Sequence, residues 1–156
     1  TRDYLGKHVA NSTIDAQGER TMDLAYNVMM TQQKNHVLRQ NVVICIGTNA
    51  LDGWQQQLDK LIHDLEPGHR LILVTPYDQR ANPSWNSSKL ADYERTLPAK
   101  FKFITIADWQ KLAAQHPDVF KGTDGVHFAG RESGDIIYAQ AVNDGLKAAA
   151  KTPLKK

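Results

Sequence analysis

Two kinds of apolar run alternate along the chain. Val42-Val43-Ile44-Cys45-Ile46, inside a strand expected over 41–48, and Leu71-Ile72-Leu73-Val74 are apolar without alternation. That pattern predicts strands covered on both faces of a parallel sheet, with Cys45 as a buried thiol. Phe101 to Ile106 supplies a third strand. Between the strands the spacing turns helical. Leu24, Ala25, Val28 and Met29 stripe a helix over 21–33. Trp54, Leu58, Leu61, Ile62 and Leu65 stripe another, capped by Asn49 and stopped by Pro67-Gly68. A third helix, capped by Ser87 or Ser88, runs through Tyr93 to Leu97, and a fourth covers about 107–115. Tyr138, Val142, Leu146 and Ala149 line a long last helix. Near the start, Tyr4, Leu5, His8 and Val9 predict a short helix, and Thr13-Ile14-Asp15-Ala16 is short and β-prone. Residues 77–88, with Arg80, Asn82, Pro83 and Trp85, form a polar loop long enough to serve as a lid.

Strand then helix, repeated, predicts an α/β protein whose parallel sheet is covered by helices on both faces. The chain opens on a helix with no strand ahead of it, so a βα unit stands incomplete. Its 156 residues fit one domain, expected over 1–150, with 151–156 as a flexible basic tail. A net charge of +2, spread without a patch, speaks against nucleic acid as a partner. The single cysteine excludes an internal disulfide and a cysteine-based zinc cluster.

Candidate chemistry centres on Gly122-Thr123-Asp124-Gly125-Val126-His127-Phe128. A carboxylate three residues ahead of an imidazole suits a hydrogen bond that fixes the tautomer and leaves the other ring nitrogen as a general base. Taken alone, Asp124-Gly125 also reads as a turn and His127 as an ordinary surface or core histidine. Gly47-Thr48-Asn49 follows the first buried strand. Asn49 there is either a helix cap or a donor to a developing oxyanion. In parallel sheets ligands bind beyond the strand C-termini, so these loops, 17–20 and the stretch after Pro76 are expected at one edge. Asp124 and His127 have no third metal ligand nearby in sequence, and neither a metal nor a cofactor is expected.

Gly47-x-Asn49 after a buried strand and Asp124-x-x-His127 near the C-terminus resemble blocks III and V of the SGNH (GDSL-like) hydrolases. Ile14-Asp15-Ala16 with Arg20, Val43 to Asn49, Leu73-Val74-Thr75-Pro76 and Asp124 to Phe128 look most like the extracellular C-terminal domain of peptidoglycan O-acetyltransferases. The resemblance covers nearly the whole chain. It implies a flavodoxin-like fold and a Ser-His-Asp acyl-transfer mechanism without metal. His127 would be the base, Asp124 its orienting carboxylate and Asn49, beside Gly47, an oxyanion donor. A backbone N–H of the Gly18-Glu19 loop would be a second donor. That family usually has glycine, or serine in some transferases, immediately before the arginine, whereas here Glu19 precedes Arg20. Its nucleophile sits in a Gly-Asp-Ser motif ending the first strand, which this sequence lacks. Ser12, Ser84, Ser87, Ser88 and Ser133 each read as structural, so the missing strand and the missing serine are both expected just upstream of Thr1.

The resemblance further implies a peptidoglycan glycan as acceptor and a membrane-embedded acyltransferase domain of the same protein as acetyl supplier. It places the domain on the extracellular face of the cell membrane. Two other readings stand beside it: a carbohydrate esterase or lipase of the same superfamily, and a glycan-binding relative without catalysis.

Overall fold

The computed structural model describes residues 1–82 and 84–156, so Pro83 of the polar loop lies outside the described residues. The elements run α1 (Arg2–His8), α2 (Met22–Lys34), β1 (Asn41–Ile44), α3 (Trp54–Asp64), β2 (Arg70–Val74), α4 (Ser87–Lys100), β3 (Ile104–Ala107), α5 (Trp109–Ala114) and α6 (Glu132–Ala149). The strands form a parallel sheet in the order β1-β2-β3, with Val42 opposite Leu71 and Leu73 opposite Ile106. Met29 and Leu58, from α2 and α3, and Leu90 and Leu97, from α4, build the core on one face. Val9, Trp109, Phe120, Phe128 and Val142 build it on the other, beside α1, α5 and α6. Helices thus cover both faces of the sheet in a three-layer α/β architecture. Gly145 lets α6 lie close on the sheet, because a Cβ there would sit 2.7 Å from the Ala107 side chain.

Only β2 is covered as expected, with Leu71 to Val74 fully buried. β1 ends at Ile44 instead of Thr48 and forms the sheet edge, where Val43 is 37% exposed. Beside it runs a groove of about 620 Å³. Val42 to Ile46 line one wall and residues 9–17 the other, with α2 and α6 contributing Met29 and Val142. Residues 13–16 are coil, not a strand. β-propensity does not make a strand without a ladder partner, and the groove separates these residues from β1. Cys45 is exposed in that groove, not buried, and its Sγ contacts the Tyr138 hydroxyl.

Two helix starts and the C-terminus also differ from expectation. α3 begins at Trp54 behind Gly53, whose φ of 84° is left-handed, so Asn49 caps nothing. α4 starts behind Asn86, with Ser87 buried in its first turn. The Asn86 side-chain amide instead donates to the Ala50 carbonyl and ties α4 to the loop after β1. Residues 151–156 are docked instead of free. Lys155 donates to the carbonyls of Ile62, His63 and Leu65, satisfying the end of α3, while its backbone pairs with Gly68 and His69.

Candidate active site

Asp124 and His127 sit on the loop between a short 3₁₀ turn, Pro117–Phe120, and α6. One Asp124 oxygen accepts the backbone N–H groups of Val126 (2.9 Å) and His127 (2.8 Å). The other accepts His127 Nδ1 at 2.7 Å. Gly125, at φ 79°, makes the turn that brings these donors round one carboxylate. The His127 backbone N–H, its imidazole and the Val126 N–H hold the Asp124 carboxyl well below the usual carboxylate range. A carboxylate on Nδ1 selects the tautomer with Nε2 unprotonated, ready to take a proton. The imidazole is 79% exposed, and no described residue hydrogen-bonds to Nε2.

A second loop braces this one. Gln79 N–H donates to the Gly125 carbonyl at 2.8 Å, and a Cβ on Gly125 would lie 3.1 Å from Arg80 Cγ. Below, Phe128 joins Trp109, Phe120 and Tyr138 in an aromatic cluster, and Tyr77 packs on Phe120. Gly134 leaves room for the Phe128 ring, which a Cβ would meet at 2.4 Å. The histidine loop therefore rests on a packed base between α6 and residues 77–80.

Gly47 and Asn49 lie in the loop after β1, where Gly47 approaches Pro76 at the end of β2. Ala50 N–H closes the turn onto the Gly47 carbonyl, and no described residue hydrogen-bonds to the Asn49 side chain. With no helix to cap, Asn49 has an amide available for a ligand. Thr75, beneath Pro76, is fully buried; its hydroxyl donates to Asp108, whose carboxylate also binds Arg95. That network locks the ends of β2 and β3 to α4. The loop after β1, the loop after β2 and the histidine loop thus share the C-terminal edge of the sheet.

Gly18 and Glu19 lie between Gln17 and Arg20, which line the groove, in a loop closed by Arg20. Its guanidinium binds the Asp15 carboxylate at 2.5 Å and the Asp15 carbonyl at 3.0 Å. Glu19, not Gly18, takes the left-handed conformation, at φ 58°. No hydrogen bond joins Gly18 or Glu19 to Asp124 or His127 among the described residues. None of Ser12, Ser84, Ser87, Ser88 and Ser133 hydrogen-bonds to His127 among the described residues, and Ser87 is buried. Sequence reasoning did not single out Asp78, which holds Arg80 against the histidine loop; its proximity to Arg80 in the chain was the available signal.

No protein-family model matches the chain. Among solved structures, the Streptococcus pneumoniae peptidoglycan O-acetyltransferase A (OatA) C-terminal catalytic domain with a methylsulfonyl adduct is similar, with a TM-score of 0.91 and 33% identity. The match covers 99% of this chain and 89% of that one. The Bacillus subtilis (strain 168) protein named "Putative peptidoglycan O-acetyltransferase YrhL" is 27% identical over 124 residues, 80% of this chain. The chain spans 18% of that relative's length. Fold, site geometry and identity together place the chain in the family of the C-terminal catalytic domains of peptidoglycan O-acetyltransferases.

Proposed function

We propose that this domain transfers an acetyl group to a hydroxyl of a peptidoglycan sugar through a serine acetyl-enzyme. The observation that carries the proposal is the Asp124–His127 pair, with Nδ1 engaged at 2.7 Å and Nε2 open at the C-terminal edge of the sheet. Nε2 takes the proton of a serine hydroxyl as its oxygen attacks the acetyl carbonyl. Asn49 Nδ2, with a backbone N–H of the Gly18-Glu19 loop, binds the oxyanion. Collapse of the tetrahedral intermediate expels the donor alkoxide, which takes the proton from His127. His127 next deprotonates the sugar hydroxyl, whose oxygen attacks the acetyl-serine carbonyl; collapse expels the serine oxygen, which takes the proton back from His127. Asp124 stays ionised and stabilises each imidazolium.

The serine is contributed by an extended segment preceding Thr1 that fills the groove beside β1. Its backbone pairs with β1 on one side and with residues 13–16 on the other, and its last residue emerges beside the histidine loop. The unpaired edge of β1, the exposed Val43 and the coil at 13–16 support this reading. The acetyl donor reaches the site from a membrane-embedded part of the same polypeptide, with this domain on the extracellular face. No described helix is long and apolar enough to cross a membrane.

The test is mass mapping of the full-length protein after methanesulfonyl fluoride. One adduct is expected, on a serine ahead of Thr1, and His127→Ala abolishes it. An adduct on Ser12, Ser84, Ser87, Ser88 or Ser133 overturns the proposed nucleophile, and complete absence of labelling overturns the acyl-enzyme. With p-nitrophenyl acetate as donor, acetate release that no glycan acceptor alters would make the domain an esterase.

A further inference from the structure

The edge of the sheet opposite the histidine loop, where the strands begin, gathers cations that the mechanism above does not use. α2 and α4 end there on Lys34 and Lys100, Arg39 and Lys102 lead into β1 and β3, and Lys151 follows α6. The backbone pairing of Lys155 with Gly68 and His69, just ahead of β2, holds the end of the chain at this edge. All five side chains are exposed, and none forms an ion pair among the described residues. Arg39 donates only to neutral oxygens, of Thr13 and Asn11, so its charge is not offset. Lys34 and Lys100 stand where a helix dipole favours a cation, but Arg39, Lys102 and Lys151 lie outside the helices and need another reason. Of the carboxylates near this edge, Asp64 is held by Lys60 and Asp144 by Lys147, which leaves Glu66. The opposite edge carries Asp23, Asp52, Asp124 and Glu132. The fold therefore sorts a net charge of +2 into a basic pole and a more acidic one, which corrects the expectation of charge without a patch. Val37, 63% exposed, stands in the basic pole between Lys34 and Arg39.

Clustered cations attract anionic headgroups, and an apolar side chain among them suits the boundary between headgroups and acyl chains. We propose that this pole is a docking surface for a bilayer rich in anionic phospholipid. A domain seated this way keeps its histidine loop, at the opposite edge, clear of the lipid and open to a glycan. The direction of the chain agrees. The segment proposed to precede Thr1 ends beside the histidine loop, so it enters the groove from the basic pole, the side that would face the membrane. Only this agreement rests on the upstream-strand reading; the docking itself stands on the charge pattern.

The experiment sediments the chain with vesicles of equal parts phosphatidylglycerol and phosphatidylcholine, and with vesicles of phosphatidylcholine alone. The anionic vesicles are expected to bind at least about tenfold more strongly, and about 0.5 M salt to remove the difference. Lys100→Gln with Lys102→Gln is expected to lower that binding about tenfold. Lys89→Gln with Lys121→Gln removes the same charge from the opposite edge and is expected to leave binding within about twofold of the parent. All four lysines are exposed, so neither pair is expected to lower Tm. Equal binding to the two kinds of vesicle would overturn the inference, as would an equal loss from the two pairs. Binding to soluble poly(glycerol phosphate) and not to the vesicles would assign the pole to an anionic polymer and overturn the bilayer. The methanesulfonyl fluoride adduct expected above depends on none of these results, so the docking surface can fail while the acyl-transfer reading stands.

Discussion

Glu19 bends the backbone through φ 58°, a conformation in which a Cβ crowds the following carbonyl and which glycine adopts without penalty. The glycine in this loop is one position too early to help. Glu19→Gly is therefore expected to stabilise the fold by about 0.5–1 kcal/mol net of the greater freedom of the unfolded chain, read as a rise in Tm. A fall would mean that the glutamate side chain makes a contact worth more than the strain. Glu94 presents the opposite case, a charge where none is welcome. It is 1% exposed on the inner face of α4, and Oε2 has no partner among the described residues. Burial pushes its carboxyl well above the usual range; the nearby Arg95 charge opposes that shift and Asp108 adds to it. Its folded-state value is raised, so the folded chain keeps a proton that the unfolded chain releases. Stability then declines as pH climbs above the ordinary carboxylate value and continues to fall until the raised value is reached. Glu94→Gln cannot titrate, and its melting temperature is expected to exceed that of the parent by a margin that widens from pH 5 to pH 8. A constant margin would show that Glu94 finds an ionic partner in solution. The Asp124–His127 hydrogen bond was legible in the sequence because the whole unit is local, four residues with a glycine hinge. Asp78 and Arg80 were less so, since what gives them meaning is Gly125, far along the chain.

At the scale of elements, the helices were legible because each buries one stripe, and a stripe at 3.6-residue spacing is written in the sequence. Their ends were not. Asn49 is a good cap by type, yet the chain continues through Leu51-Asp52 before turning at Gly53 into α3. Capping propensity yields to whatever the loop must reach, here the Asn86 amide on the Ala50 carbonyl. The other end of α3 shows the same dependence on distant residues. Its last carbonyls are capped by Lys155, about ninety positions later, which a reading of local charge had placed in a free tail. A cation on three carbonyls at a helix C-terminus meets both the orphan acceptors and the negative end of the dipole. Lys155→Ala is expected to cost about 1–2 kcal/mol and to speed amide exchange in the last turn of α3 and at Gly68, with β3 unaffected. Unchanged exchange at Gly68 would mean that the backbone pairing with His69 suffices without the side chain.

For the whole molecule, layer order and parallel direction were legible from unalternating strands, but the position of each strand was not. Burial on two faces says nothing of whether both edges are paired. Val42 to Ile46 carry the composition of an inner strand and occupy an edge, and residues 13–16 have the composition of a strand and no ladder. An unpaired, apolar edge between two helical layers invites another strand. Cys45 is a natural reporter for its arrival, being the only cysteine and exposed in that groove. The protein packed round it pushes the thiol up to about 11, so iodoacetamide reacts slowly near neutral pH and faster as the pH is raised. In the chain as described, Cys45 is expected to be carbamidomethylated under alkaline but non-denaturing conditions, adding one adduct by intact mass. Where an extended segment precedes Thr1 and fills the groove, the same treatment is expected to leave Cys45 at least about tenfold less reactive, and unfolding in guanidinium to abolish the protection. Equal reactivity in the two chains would mean that the preceding segment lies elsewhere and that β1 remains the edge, removing the path by which a serine reaches His127.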